Sequence, residues 1–166
     1  MNIIEDEEFE NIIKDIDESD EFQKTKNIVH HCSNRYDHCR RVAYYSYLIT
    51  KKLGLSYEET ARAGLLHDFF LVDNKDITLK EKMGTLVGHP KYALAYSNKF
   101  FNLTEKEKDI IVTHMFPVAP TRVPKYLESW IVNLVDDYVA IKEELNAKKK
   151  DVVRFANLIL AFSILK

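Results

Sequence analysis

The sequence predicts an all-α fold, a single compact bundle of about six or seven helices. Apolar residues recur at helical spacing in several long segments, and no stretch sustains an alternation of period two. Only four glycines and four prolines are available to interrupt helices among 166 residues. The length suits one domain, and a hydrophobic fraction of 46% can bury a substantial core.

Residues 1–25 are expected to form an acidic N-terminal arm or helix, and residues 26–166 the folded domain. Ten acids between Glu5 and Glu21 are met by Lys14 alone, so this stretch carries −9 of a net charge of −2 and leaves the rest at +7. A basic body suits an anionic small-molecule substrate. The arm reads as an amphipathic helix on Ile3, Ile4, Phe9, Ile12, Ile13 and Ile16, or as a partly disordered leader. Residues 36–54 follow, with Val42, Ala43, Tyr45, Leu48 and Ile49 at helical spacing and Gly54 as the stop. The segment from Ser56 begins with a capping box to Glu59, and a second box, Thr104 with Glu107, starts the helix that reaches His114. Between them, Pro90 marks a helix start, where a missing N–H is harmless. Residues 125–145 and 151–165 read as two long helices. Residues 71–87 and 117–124 are the irregular connections, where binding groups usually sit.

Several function classes lack support. No apolar run approaches a membrane span, and the acidic start is unlike a secretory signal, so a soluble cytoplasmic protein with no membrane partner is expected. Cys32 and Cys39 are too few for a disulfide framework and read as reduced, buried thiols. No nucleic acid partner is expected, since the "AKKKD" cluster is short and no basic helix is interleaved with aromatics. "HHCSNRYDHC" lacks the paired knuckles of a structural zinc site, and His30 and His31 read as a helix terminus.

The stretch "ARAGLLHDFF" raises a different problem. His67 and Asp68 end an apolar helix, and a buried carboxylate without partners costs several kcal/mol or becomes neutral. His38 lies in the first turn of its helix, His89 starts another, His114 ends a third, and Asp136 sits within "WIVNLVDDYVA". A single histidine at a helix end more often caps or is solvated. Together, imidazoles and carboxylates in apolar surroundings suit a transition metal such as Fe, Mn, Co, Ni or Zn. Asp37 and Asp137 point about 100° away from their neighbours and are not expected to ligate.

The order "YDHCRRVA", "GLLHDFF", "NLVDDY" resembles the H…HD…D signature of the HD-domain metal-dependent phosphohydrolases, an all-helical superfamily. "GHPKYA" and "IIVTHMFP" are similar to the extra ligands of its binuclear branch. That branch includes the HD-GYP phosphodiesterases and the small bacterial HD hydrolases that split diadenosine tetraphosphate symmetrically. "NRYDHC" looks like the segment around the first histidine of those small hydrolases.

The resemblance implies the HD-domain fold and a metal-dependent phosphohydrolase acting on a nucleotide or other small phosphoester. The cofactor would be a divalent transition metal, two ions with iron placed first. His38, His67, Asp68 and Asp136 would hold one ion, and Asp68 would bridge to a second held by His89 and His114. His67 and Asp68 are the residues expected to be essential for catalysis. Two such ions about 3.5–4 Å apart can share a hydroxide that attacks phosphorus. Many relatives carry a phosphate-binding lysine three or four residues after the doublet, whereas this chain continues Phe69, Phe70, Leu71, Val72. Lys91, Arg122 and Lys125 are the substitute candidates by position. A non-catalytic nucleotide-sensing or regulatory module is the alternative, and a homodimer is left open.

Overall fold

A computed structural model of the chain describes residues 6–30, 33–71, 79–119 and 122–164. The described residues form seven α-helices: α1 (Glu7–Asp17), α2 (Asp20–Gln23), α3 (Arg35–Lys52), α4 (Tyr57–Leu66), α5 (Leu79–Phe100), α6 (Glu105–Thr113) and α7 (Leu127–Ile164). A 3-10 turn covers Lys24–Asn27. The only strands among the described residues are β1 (Val29–His30) and β2 (Ser33–Asn34), an antiparallel pair with Val29 opposite Asn34. The protein is an all-α bundle, as the periodicity predicts.

Helix α3 starts at an N-cap, Asn34, whose side chain accepts from the Asp37 N–H. It ends where Gly54 takes φ 68°. The Gly54 N–H bonds the Lys51 carbonyl at 3.2 Å and the Leu55 N–H the Thr50 carbonyl at 2.9 Å, the Schellman pattern that only a residue tolerant of positive φ completes cheaply. Thr104 and Glu107 form the predicted capping box of α6. The box predicted at Ser56 does not form, because tertiary partners outbid it. Glu59 accepts from the Thr104 hydroxyl at 2.6 Å, and the Ser56 N–H goes to Glu128 at 3.2 Å.

Helices α3 and α4 are the closest pair. A Cβ at Gly64 would stand 2.9 Å from the Ala43 Cα, so glycine is what allows these backbones to meet. The core joins Val42, Ala43, Tyr47, Leu65, Leu66, Phe69, Ile110, Ile111, Val132 and Val135 with Phe9, Ile13 and Ile16 of α1. Within the acidic arm, α1 is therefore a packed helix. Its acids meet the basic body: Arg40 bridges Glu10 and Asp17, Lys51 meets Glu8, and Arg62 meets Asp15. Such partly exposed pairs contribute about 0–1 kcal/mol each. Fully buried apolar side chains contribute about 1.5–3 kcal/mol each, so Phe9, Ile13 and Ile16 decide that the arm docks.

Other expectations need correction. Residues 125–145 and 151–165 belong to one helix, α7, because the intervening "NAKKK" holds no glycine or proline and consists largely of strong helix formers. Pro90 and His89 lie inside α5 rather than at its start, and the segment 71–87 is helical from Leu79. A buried Pro90 and packing of α5 on α6 offset the roughly 3 kcal/mol that an interior proline costs. Leu48 and Ile49, part of the apolar spacing that marks this helix, are each 40% exposed, whereas Ser46 and Thr50 are buried, with the Thr50 hydroxyl bonded to the Ser46 carbonyl. His30 is in β1 and not at a helix terminus. Ile3, Ile4, His31 and Cys32 lie outside the described residues. Among the described residues no helix is long and apolar enough to cross a membrane.

Candidate metal centre

Five elements and the turn after α4 bring the six predicted ligand side chains to one place. His38 comes from the first turn of α3, His67 from the C-cap of α4, and Asp68 from the turn that follows. His89 lies in α5, His114 at the C-cap of α6, and Asp136 in α7. Three groups have donor atoms within 4.8 Å of one another: His38, His67 and Asp68; His67, His114 and Asp136; Asp68, His89 and His114. Asp68 belongs to two of them, and so do His67 and His114.

The distances are those of donors crowded around a common point. His38 Nε2 is 2.9 Å from Asp136 Oδ1, and His67 Nε2 is 3.6 Å from the same oxygen. His89 Nε2 is 3.2 Å and His114 Nε2 3.6 Å from Asp68 Oδ1, and the two imidazole nitrogens are 2.9 Å apart. His38, His67, Asp68, His89 and His114 are buried, and the Asp136 side chain is 13% exposed.

Helix ends decide which way the rings present their lone pairs. The last carbonyls of a helix have no partner in the ladder. His67 Nδ1 donates to the Gly64 carbonyl and His114 Nδ1 to the Ile111 carbonyl, each at 2.7 Å and each three residues back. With the proton fixed on Nδ1 in the neutral ring, Nε2 is left as a bare acceptor facing the centre. His67 Nε2 is buried and makes no hydrogen bond.

The electrostatics agree with a cation. Burial, together with the nearby His67 and His89 rings, pushes His114 down to about 4, so it is a neutral donor. Burial disfavours charge on His38, yet its bonds to Asp136 and Glu143 outweigh this and push it up to about 10. Burial likewise works against an ionised Asp136, but the facing His67 and His38 hold it well below the usual carboxylate range. Four imidazoles, two carboxylates and a His67 Nε2 lone pair turned into the cluster fit a divalent transition metal. Cys39 does not fit: burial pushes its thiol well up, and it joins none of the donor groups.

The substrate candidates are less gathered. Lys91 is exposed on α5, two residues past His89. Arg122 is 42% exposed, with Nε 3.4 Å from the buried Asp109, and Lys125 has its N–H on the same carboxylate at 3.0 Å and its side chain exposed. Asp109 thus ties down the segment after His114, with help from Asn133, whose amide donates to the carbonyls of His114 and Phe116. Asp37 serves as a helix-start residue, bonded by the Asn34 amide at 3.0 Å.

Two residues were missed from the sequence. Arg35 is buried, lies 3.9 Å over the Phe70 ring and donates to the Phe70 carbonyl, and Phe70 in turn stacks on His89. Glu143 accepts from His38 Nδ1 at 3.2 Å and from Arg41 at 2.7 Å. Its signal was available, since a residue seven after Asp136 returns to the same face of a helix.

Searches of curated proteins and of solved structures found no match. The family model described as HD domain matches residues 35–141, more than half of the chain, and spans all six gathered side chains. The chain belongs to the HD domain family.

Proposed function

We propose that the protein is a metal-dependent phosphohydrolase that cleaves a nucleotide or another small phosphoester at this centre. The observation that carries the reading is the double membership of Asp68, which shares one donor group with His38 and His67 and another with His89 and His114. A carboxylate has two oxygens and can serve two ions, as no imidazole can. One ion would be held by His38, His67, Asp68 and Asp136 and a second by Asp68, His89 and His114, with iron first and manganese, cobalt, nickel or zinc compatible with the same donors. When bound, such ions lower the pKa of a coordinated water and neutralise charge that develops on the phosphoryl oxygens.

The chain's own contribution is placement and charge. Carbonyl-anchored His67 and His114 keep fixed rings, so little reorganisation is needed on binding. Burial of the donors excludes bulk water and strengthens their electrostatic effect. Phe69 after the doublet is wholly buried and cannot grip phosphate. Lys91, Arg122 and Lys125 take that role by position, and Arg35 is a fourth cation, one aromatic ring away from His89. The likeness of "NRYDHC" to the small diadenosine tetraphosphate hydrolases supports a nucleotide as substrate.

The test is elemental analysis of protein purified without chelators, then a nucleotide panel with and without added Fe(II), Mn(II) or Co(II). About two equivalents of metal with turnover is the expected result. Tight nucleotide binding without turnover would instead identify a sensing module, and absence of both metal and turnover would refute the proposal.

A further inference from the structure

His38 is placed differently from the other anchored rings. His67 and His114 each cap a helix C-terminus and take an unused carbonyl three residues back. His38 is the fourth residue of α3, where nearby carbonyls are already committed to the helical ladder. No helix-end carbonyl can fix its proton on Nδ1. The Glu143 carboxylate is placed to do so, with Oε2 3.2 Å from His38 Nδ1. The carboxylate is itself held, since Arg41 donates to Oε1 at 2.7 Å and also to the Ser33 hydroxyl at 3.2 Å. The Glu143 side chain is 9% exposed, so this chain of contacts runs largely out of water.

We infer that Glu143 is a positioning residue for the metal centre: it holds the His38 proton on Nδ1 and so presents Nε2 to the ion, with Arg41 fixing the carboxylate. Glu143 lies two residues beyond the segment matched by the family model, so the match does not assign it. Asp136 and Glu143 sit seven residues apart on α7, so one helix face supplies a carboxylate to each nitrogen of the same ring. A carboxylate behind an imidazole also makes it a more basic donor, and loss of such a partner typically weakens metal binding about 10–100-fold.

The inference rests on the metal-centre reading, and the experiment separates the two. Mn(II) and Co(II) affinities are measured for the full chain, Glu143→Ala and Glu143→Gln, with helical content checked by circular dichroism. Glu143→Ala is expected to bind about 10–100-fold more weakly, with Glu143→Gln in between because its amide oxygen still accepts the proton. Metal binding by the parent with Glu143→Ala within threefold would overturn the role of Glu143 alone. A parent that binds no metal would overturn the centre itself. A second measurement needs no variant: nitrogen-detected histidine spectra of the zinc-loaded parent should show His38 protonated on Nδ1. A proton on Nε2 would overturn the inference.

Discussion

Gly64→Ala tests the link between packing and the centre. The new methyl would stand 2.9 Å from Ala43 Cα and 3.3 Å from its amide nitrogen, both backbone atoms of α3 that cannot rotate aside. Carbon atoms pack best at about 3.5–4.0 Å, so α4 must retreat by roughly 0.6–1 Å. Overpacking of this kind costs about 1–3 kcal/mol, and replacing glycine within a helix returns about 0.5–1 kcal/mol. The backbone obstacle favours the upper part of the cost range, giving a net loss of about 1–2 kcal/mol. For a chain of this length that lowers Tm by roughly 2–8 °C. The Gly64 carbonyl also anchors His67, so a displaced α4 end moves His67 and Asp68 together, and metal affinity should fall in parallel. Urea unfolding of the metal-free protein gives the first number, and Mn(II) titration the second. A variant as stable as the parent would show that α3 and α4 do not approach as described.

Asp68→Ala removes the one carboxylate common to two donor groups; Mn(II) near 100 times Kd should raise the parent's unfolding free energy by about 2.7 kcal/mol and leave the variant unmoved in thermal scans. An equal rise in both would dismiss Asp68 as a ligand. Phe9 is fully buried against Tyr44 and Tyr47, with ring centroids 5.0 and 5.4 Å away, so Phe9→Ala should cost about 3–5 kcal/mol in urea unfolding, whereas an undocked arm would lose nothing. Burial works against an ionised Glu128, but the Lys106 ammonium at 2.7 Å and N–H bonds, including that of Ser56, outweigh it and keep the carboxyl below its usual 4.5. Its contribution is therefore present above that pH and is lost as pH falls through the folded value. Glu128→Gln should lose about 1–3 kcal/mol at pH 7, and its gap to the parent should shrink as pH falls; a gap that widens in acid would contradict the sign.

Local signals survived wherever the cause is local. Gly54 stops α3 because its backbone takes φ 68°, and Thr104 with Glu107 caps α6, since both features involve residues a few positions apart. The Ser56–Glu59 box failed for the opposite reason: Thr104 and Glu128, distant in sequence, offered those groups better-placed partners. Leu48 and Ile49 of α3 are each 40% exposed although they share its apolar spacing, because periodicity gives a stripe without saying which neighbours will cover it. Pro90 was read as a helix start because its missing N–H is a local cost, whereas burial and packing against α6 are not visible in the chain order.

By itself, the sequence determined the helical class, the stop of α3 at Gly54, the cap of α6 at Thr104 and the residue types capable of binding a metal. These follow from the spacing of apolar residues and from hydrogen bonds within a turn. Only the tertiary structure decided that four imidazoles and two carboxylates meet, that the acidic arm docks through Phe9, Ile13 and Ile16, and that Glu143 stands behind His38. The physical reason is that convergence depends on how helices pack, and packing is set by side chains tens of residues apart, such as Gly64 against Ala43, whose encounter no local pattern encodes.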